Sequence, residues 1–205
     1  MTRPRLGNPN PLMTTLLVCA AAVVLNVATG TLVGMLALPF LFLDTLGTFV
    51  ASALFGVRWG VVVGVLTNVV LALVVRPQAL WFIPVQVLVA VVVGLVARRD
   101  GYTPRTAPIA AALLAVLVPL VSTIIVVAVF KGGHGNPVDD AVAGLQAAGN
   151  SLFSAAFWPR AGLELVDKAV TAFLALVIIK VVPDAVVKQR LRAEVASEER
   201  VPVKA

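Results

Sequence analysis

The sequence predicts an all-α integral membrane protein: a six-helix transmembrane bundle with an interfacial helix between helices 5 and 6. Three observations carry this. Of 205 residues, 60% are hydrophobic and 13% charged, and mean hydropathy is +1.02; soluble domains run near about 25% charged. The apolar segments are continuous over the roughly 20 residues a helix needs to cross hydrocarbon, whereas membrane strands alternate polar and apolar positions. The breaks between them fall at Gly, Pro and charged residues, which punctuate helices.

In chain order, residues 1–11 read as a polar, Pro-rich cytoplasmic tail. Helix 1 spans about Leu12 to Ala28 and stops at Thr29-Gly30-Thr31. Residues 31–43 are apolar but interrupted by Gly34 and Pro39, so they read as a packed or re-entrant loop. Asp44-Thr45 offers an N-cap for a short helix 2, about Thr45 to Phe55. Gly56 and Arg58 make a tight turn before helix 3, about Trp59 to Val75. Arg76-Pro77-Gln78 breaks the chain, and helix 4 runs from about Ala79 to Ala97. A polar loop at Arg98–Arg105 leads to helix 5, about Ala107 to Phe130, with Pro119 expected to kink it. Lys131–Pro137 is a Gly-rich loop. Residues 138–157 contain Asp139, Asp140, Gln146 and Asn150 and read as an interfacial helix ended by Trp158-Pro159-Arg160. Helix 6 follows, about Ala161 to Val182, closed by Pro183. The membrane domain is thus residues 12–183, and 184–205 form a charged cytoplasmic tail.

The net charge of +6 and pI near 10.3 follow membrane topology rather than nucleic-acid binding, because the basic residues form no stripe. With both termini in the cytoplasm, Arg3, Arg5, Arg58, Arg98, Arg99, Arg105, Lys188, Arg190 and Arg192 face inward. Only Arg76, Lys131 and Arg160 face outward, which satisfies the positive-inside rule. This predicts a multi-pass membrane protein with both termini cytoplasmic. Arg3 and Arg5 before an apolar run resemble a signal peptide, but the weak cleavage pattern near Asn26 and the spans that follow favour an uncleaved first helix. The single cysteine, Cys19, permits no intrachain disulfide and no cysteine metal cluster. His134 stands alone, so no metal is expected. No phosphate loop, HExxH or GxSxG motif is present, and no cofactor or enzyme activity is expected.

The ionisable triplet Glu164, Asp167 and Lys168 lies in the outer half of helix 6. Each ionisable group inside a membrane costs on the order of 2.5–3.5 kcal/mol on insertion scales, so the triplet needs partners, water or a ligand. Its three- and four-residue spacings place it on one face. It serves as an internal ion pair, as the wall of a ligand pocket, or as both. Gly60 and Gly64 form a GxxxG on helix 3, suited to close helix approach, and Asn68 continues that face toward either a neighbouring helix or a ligand. Arg76, Gln78, Trp81 and Gln86 cluster at the outer end of helices 3 and 4. Trp81 is an interface anchor or a stacking surface for a planar heterocycle, with Gln86 supplying amide hydrogen bonds. Asn26 suits a bond between helices.

Two stretches resemble a known family. One is Leu43-Asp44-Thr45-Leu46-Gly47-Thr48 through Ala53-Leu54-Phe55-Gly56, then Gly60, Gly64 and Leu66-Thr67-Asn68. The other is Glu164-Leu165-Val166-Asp167-Lys168 through Lys180-Val181-Val182-Pro183. Together they look like the substrate-binding S component of energy-coupling factor (ECF) transporters, in a subgroup of unassigned substrate. The resemblance implies a bundle that captures a vitamin or similar micronutrient from outside. The loop after helix 1, here about 30–43, is implied as the gate, and the pocket draws on that loop and on helices 4 to 6. It further implies a transmembrane coupling subunit and two ATPase subunits as partners, beside the small-molecule substrate and membrane lipid. Homologues for riboflavin, thiamine, cobalamin and biotin share the layout, so the resemblance names no substrate. The candidate substrate-binding set is Asp44, Asn68, Arg76, Gln78, Trp81, Gln86, Glu164, Asp167 and Lys168. Family members often carry an AxxxA pattern on helix 1 for docking the coupling subunit. Here Ala20, Ala21 and Ala22 are consecutive, and the nearest small-residue spacing is Thr15 with Cys19. A ligand-responsive membrane sensor, with no transport, is the alternative function.

Overall fold

A computed structural model describes residues 11–36, 41–135 and 138–182, and among them every regular element is a helix. The elements are α1 (Pro11–Met35), α2 (Leu46–Phe55), α3 (Val57–Val74), a 3₁₀ segment (Pro77–Phe82), α4 (Ile83–Val96), α5 (Thr106–Phe130), α6 (Asp139–Ala147) and α7 (Leu152–Val181). Four stretches are long and apolar enough to cross a membrane: Leu12–Met35, Val57–Val74, Pro77–Val96 and Thr106–Phe130. The 30 residues of α7 reach about 45 Å, but five of them are ionisable.

α2 sits at the centre. Nine of its ten residues are buried, as expected of a helix that is apolar all round. It packs against α1, α3, α4 and α7, while α5 and α7 form the most extensive helix pair. Phe49 and Leu54 of α2 meet Val89 and Val93 of α4, Leu114 and Val118 of α5, and Ala172 and Ala175 of α7 in one core. The outside is as apolar as the inside. Leu16, Leu17 and Val24 of α1, Ile109, Val116 and Ile124 of α5, and Leu165, Phe173 and Val177 of α7 are all exposed. The interior meanwhile holds Asn26, Thr48, Asn68, Gln86, Asp167 and Lys168. That inversion suits a chain whose surroundings are hydrocarbon, where exposed apolar groups cost nothing and polar groups turn inward.

Three boundaries differ from the sequence expectation. α1 does not stop at Thr29-Gly30-Thr31 but continues to Met35. The Thr29 hydroxyl donates back to the Leu25 carbonyl at 2.7 Å, which keeps the polar run inside the helix. Trp158-Pro159-Arg160 does not end a helix, because α7 begins at Leu152 and passes through Pro159. Proline removes one helical bond, the one to the Ala155 carbonyl, and crowds the turn before it; the helix nonetheless continues, and the Arg160 guanidinium folds back to donate to the neighbouring Ala156 carbonyl at 2.8 Å. The break falls earlier, at Gly149 (φ 91°) and Ser151, whose Oγ accepts from the Ser154 amide at 3.2 Å. Residues 138–157 are therefore two elements, α6 and the first turns of α7. Pro119 lies within α5 without ending it. The predicted tails, Pro39 and Pro183 lie outside the described residues.

The Gly60 and Gly64 spacing works as a packing device. A Cβ at Gly60 would meet Ser52 of α2 and one at Gly64 would lie 2.8 Å from Gln86 Cβ on α4. α3 thereby approaches α4 closely enough for Gln86 and Asn68 to share a polar cluster.

Candidate functional site

The segment before α2, the 3₁₀ segment, the C-terminal halves of α3 and α5 and the N-terminal halves of α4 and α7 gather around a cavity of about 90 Å³. A water needs roughly 10–15 Å³ on this measure, so the space holds several waters or a small solute. Seven of the nine residues singled out from sequence line it: Asp44, Asn68, Arg76, Gln78, Gln86, Glu164 and Lys168.

Its floor is a hydrogen-bonded chain across four elements. Asn26 Nδ2 donates to Thr48 Oγ1 and Thr67 Oγ1, both at 3.0 Å, and Asn26 Oδ1 accepts from the Gly47 amide at 2.5 Å. Thr48 Oγ1 donates to Gln86 Oε1 at 2.8 Å. Gln86 Nε2 donates to the Asp44 carbonyl at 2.9 Å and to Asn68 Oδ1 at 3.4 Å. Asn68 Nδ2 completes the chain on the Ala79 carbonyl at 2.9 Å. Gln86 and Asn68 line the cavity, but these bonds already engage their amides. Asn26 is the helix-to-helix bond the sequence suggested.

One wall is the triplet of α7. Lys168 is 1% exposed and lies between two carboxylates, with Nζ 2.6 Å from Asp167 Oδ2 and 2.9 Å from Glu164 Oε2. Asp167 is fully buried and does not line the cavity. Its second oxygen, Oδ1, accepts from the backbone amides of Phe42 at 2.7 Å and Leu43 at 3.0 Å. Leu43 has φ 49°, a left-handed backbone that costs a non-glycine residue of order 1–3 kcal/mol. Asp167 and the Thr29 hydroxyl, which donates to the Leu43 carbonyl at 2.7 Å, hold it there. Residues 42–45 thus form a roof pinned to α7, and Phe42, Asp44 and Thr45 of that roof face the cavity. Arg76 Nη2 lies 3.6 Å from Asp44 Oδ2 at the half-exposed rim, a pairing that adds little stability in water.

Trp81 does not line the cavity. It is 55% exposed, as an interface anchor would be, and the aromatic face at the cavity comes from the next residue, Phe82. Phe82 stacks on Phe130 with centroids 6.2 Å apart, and the His134 ring lies 5.2 Å from the first and 5.4 Å from the second. Beside these rings lie three residues that the sequence had not placed in the site, of which His134 and Arg160 line the cavity. Arg160 is 5% exposed and lines the cavity. Its Nη2 lies 3.6 Å from Asp139 Oδ1 and makes no hydrogen bond. Asp139 Oδ2 accepts from the amides of His134 and Gly135, both at 2.8 Å, which seats the loop against α7. A signal for Arg160 was available: it lies four residues before Glu164 and eight before Lys168, on their face. Nothing local marked His134 or Asp139, whose positions depend on how α6 docks. Among the described residues no group of three or more His, Cys, Asp or Glu could hold a metal.

Burial, helped by the charges of Arg160 and Arg76 and opposed by Asp139, pushes the His134 imidazole down from 6.5 to about 4. The unfolded chain then takes up this proton before the folded one does. His134 therefore leaves stability intact above pH 6.5 and removes it as pH falls from there toward 4. The expected result is a thermal midpoint in detergent that drops across this window, with a shallower drop in His134→Asn. An identical slope in the variant places the titration on other groups.

Comparison with protein-family models, curated proteins and solved structures finds no match to this chain.

Proposed function

We propose that this chain is the membrane-embedded substrate-capture component of an ECF-type uptake transporter for a vitamin or similar micronutrient, energised by a separate coupling subunit and two ATPase subunits. The observation that carries this is the cavity itself: a roofed space at one end of the bundle, lined by apolar side chains among which Asp44, Arg76, Glu164 and Lys168 are set. In this reading α1 to α5 and α7 are six spans, with α2 carried inside the others, and α6 lies in the interface. Arg76, Lys131 and Arg160 belong to the cavity end. Arg58, Arg98, Arg99 and Arg105 belong to the other, where the cytoplasm of a bacterial inner membrane fits the positive-inside rule. The cavity then opens outward, and the segment pinned by Asp167 is its gate.

Capture requires a site that binds from dilute solution and releases when partners shift the bundle. The segment is held by few bonds, Asp167 and Thr29 at Phe42 and Leu43 and the Gln86 amide at the Asp44 carbonyl, so exchanging these would free it to take a second position. Gently purified protein is expected to carry a small molecule detectable by native mass spectrometry, and cells bearing the coupling and ATPase subunits are expected to accumulate it. Binding without accumulation in such cells identifies a ligand-responsive sensor instead.

A further inference from the structure

We propose that the cavity takes a small organic cation, an ammonium or amidinium group on a compact apolar body, with the Asp44 carboxylate as its counter-charge. The inference rests on the capture reading above and names the class of its ligand.

The balance of charge carries it. Among the described residues, four carboxylates stand on the cavity walls or paired with them: Asp44, Asp139, Glu164 and Asp167. Three cations face them: Arg76, Arg160 and Lys168. His134 adds no charge at neutral pH, since burial holds its imidazole down at about 4. Lys131 and Asp140, on the neighbouring loop and α6, are exposed and of opposite sign. One negative charge is left over. Lys168 is already shared by Glu164 and Asp167, and Arg160 is taken by Asp139. Asp44 is left to Arg76, which stands 3.6 Å away, beyond hydrogen-bond length, with half of its side chain in water. A solvated guanidinium at that distance compensates a carboxylate weakly. A cation entering beside Asp44 cancels the surplus, whereas an anion adds to it.

Asp44 is also the carboxylate an occupant can reach. Its side chain is 22% exposed and lines the cavity. Thr45 Oγ1, Gln78 Oε1, His134 Nδ1, Arg160 Nη2 and Glu164 Oε2 make no hydrogen bond, but all are sealed off, so they act on an occupant only through their field. The apolar part of the ligand is matched by Phe42 and Phe82, which line the same space, with the His134 ring 5.2 Å from Phe82. Aromatic faces attract ammonium and guanidinium groups, and more strongly where water is excluded. About 90 Å³ holds roughly six waters, the bulk of one substituted ring.

The test titrates the full chain in phosphatidylcholine nanodiscs by calorimetry, with empty nanodiscs as reference. Three probes of one shape are used: benzylammonium, benzyl alcohol and benzoate. Benzylammonium is expected to bind at least about tenfold tighter than the other two, the lower end of what a charged hydrogen bond contributes. Asp44→Asn is expected to weaken it by about tenfold while leaving benzyl alcohol unchanged. Arg76→Gln is expected to strengthen it by about twofold to fivefold, the worth of the exposed pair given up. A gain cannot come from misfolding, and an anion site would show the opposite sign. Benzoate or benzyl alcohol binding as tightly as benzylammonium overturns the inference. So does no binding of benzylammonium at millimolar concentration, unchanged affinity in Asp44→Asn, weaker binding in Arg76→Gln, or displacement by potassium at equal concentration. Selective cation binding by a chain whose ligand cells fail to accumulate leaves the inference standing and removes the transport reading. Accumulation of a neutral or anionic solute does the reverse.

Discussion

Replacing Asp167 with alanine is expected to destabilise the folded chain by about 3 kcal/mol or more, because the buried Lys168 keeps only one of its two carboxylates and two backbone amides lose their acceptor, each costing about 1–3 kcal/mol. Asp167 is fully buried and has two tasks, one for each oxygen. Oδ2 holds the ammonium of Lys168 at 2.6 Å, and Oδ1 accepts the amides of Phe42 and Leu43. Alanine abandons both. Lys168 keeps Glu164 at 2.9 Å, and Leu43 loses one of the two bonds that hold its left-handed backbone. Asp167→Asn separates the tasks. The amide oxygen still receives the two backbone donors, but the charge opposite Lys168 is gone. It is expected to lose part of the stability that alanine loses, while the amides of Phe42 and Leu43 still exchange slowly with deuterium. Adding both Lys168→Met and Glu164→Gln to Asp167→Asn is expected to restore part of the loss, since neither an ammonium nor a carboxylate is then left buried alone. Denaturation in detergent and hydrogen exchange read the two effects separately. Wild-type stability in Asp167→Ala, or fast exchange at Phe42 and Leu43 in Asp167→Asn, contradicts this division of labour.

The double role of Asp167 also shows where sequence reasoning reached its limit. That Glu164, Asp167 and Lys168 share a face is legible from spacing alone, since α7 is regular there. That Asp167 serves the roof and not the cavity is not legible, because its partners lie 124 and 125 positions away. α2, α3 and α5 fall within about two residues of expectation because Gly56, Val75-Arg76 and Lys131 mark their ends. Thr29-Gly30-Thr31 and Trp158-Pro159-Arg160 misled for one reason: both are local breakers overruled by a tertiary or side-chain partner, Leu25 and Leu43 carbonyls for Thr29, and the Ala156 carbonyl for Arg160. Trp81 is a different case. Pro77–Phe82 is a 3₁₀ segment, with about three residues per turn instead of 3.6. Of the two roles the sequence allowed Trp81, its exposure suits the outer anchor, and Phe82 supplies the ring at the cavity.

The floor of the site depends on a contact that sequence made visible only as a glycine. Gly47 lies in the first turn of α2 and runs against α1 so closely that an added Cβ would sit 2.0 Å from the Ala22 carbonyl oxygen and 2.7 Å from its carbon. These are backbone atoms of a helix, which no rotamer change can move. Gly47→Val therefore forces α1 away from α2. The displacement strains the bond from the Gly47 amide to Asn26 Oδ1 and the bonds from Asn26 to Thr48 and Thr67. Polar bonds between membrane helices are worth on average about 0.6 kcal/mol each, at most about 1.7. Overpacking adds roughly 1–3 kcal/mol. Together the expected loss is about 3 kcal/mol or more. Thr48 holds Gln86, and Gln86 holds the Asp44 carbonyl, so ligand affinity is expected to fall although Gly47 touches no ligand. Gly162→Ala provides the contrast. A Cβ there meets nothing within 4 Å, and alanine suits a helix better than glycine by about 1 kcal/mol, so stability is expected to hold or rise slightly. Comparable stability in Gly47→Val and Gly162→Ala, measured by denaturation in the same detergent, removes close α1–α2 contact as the support of the cavity floor.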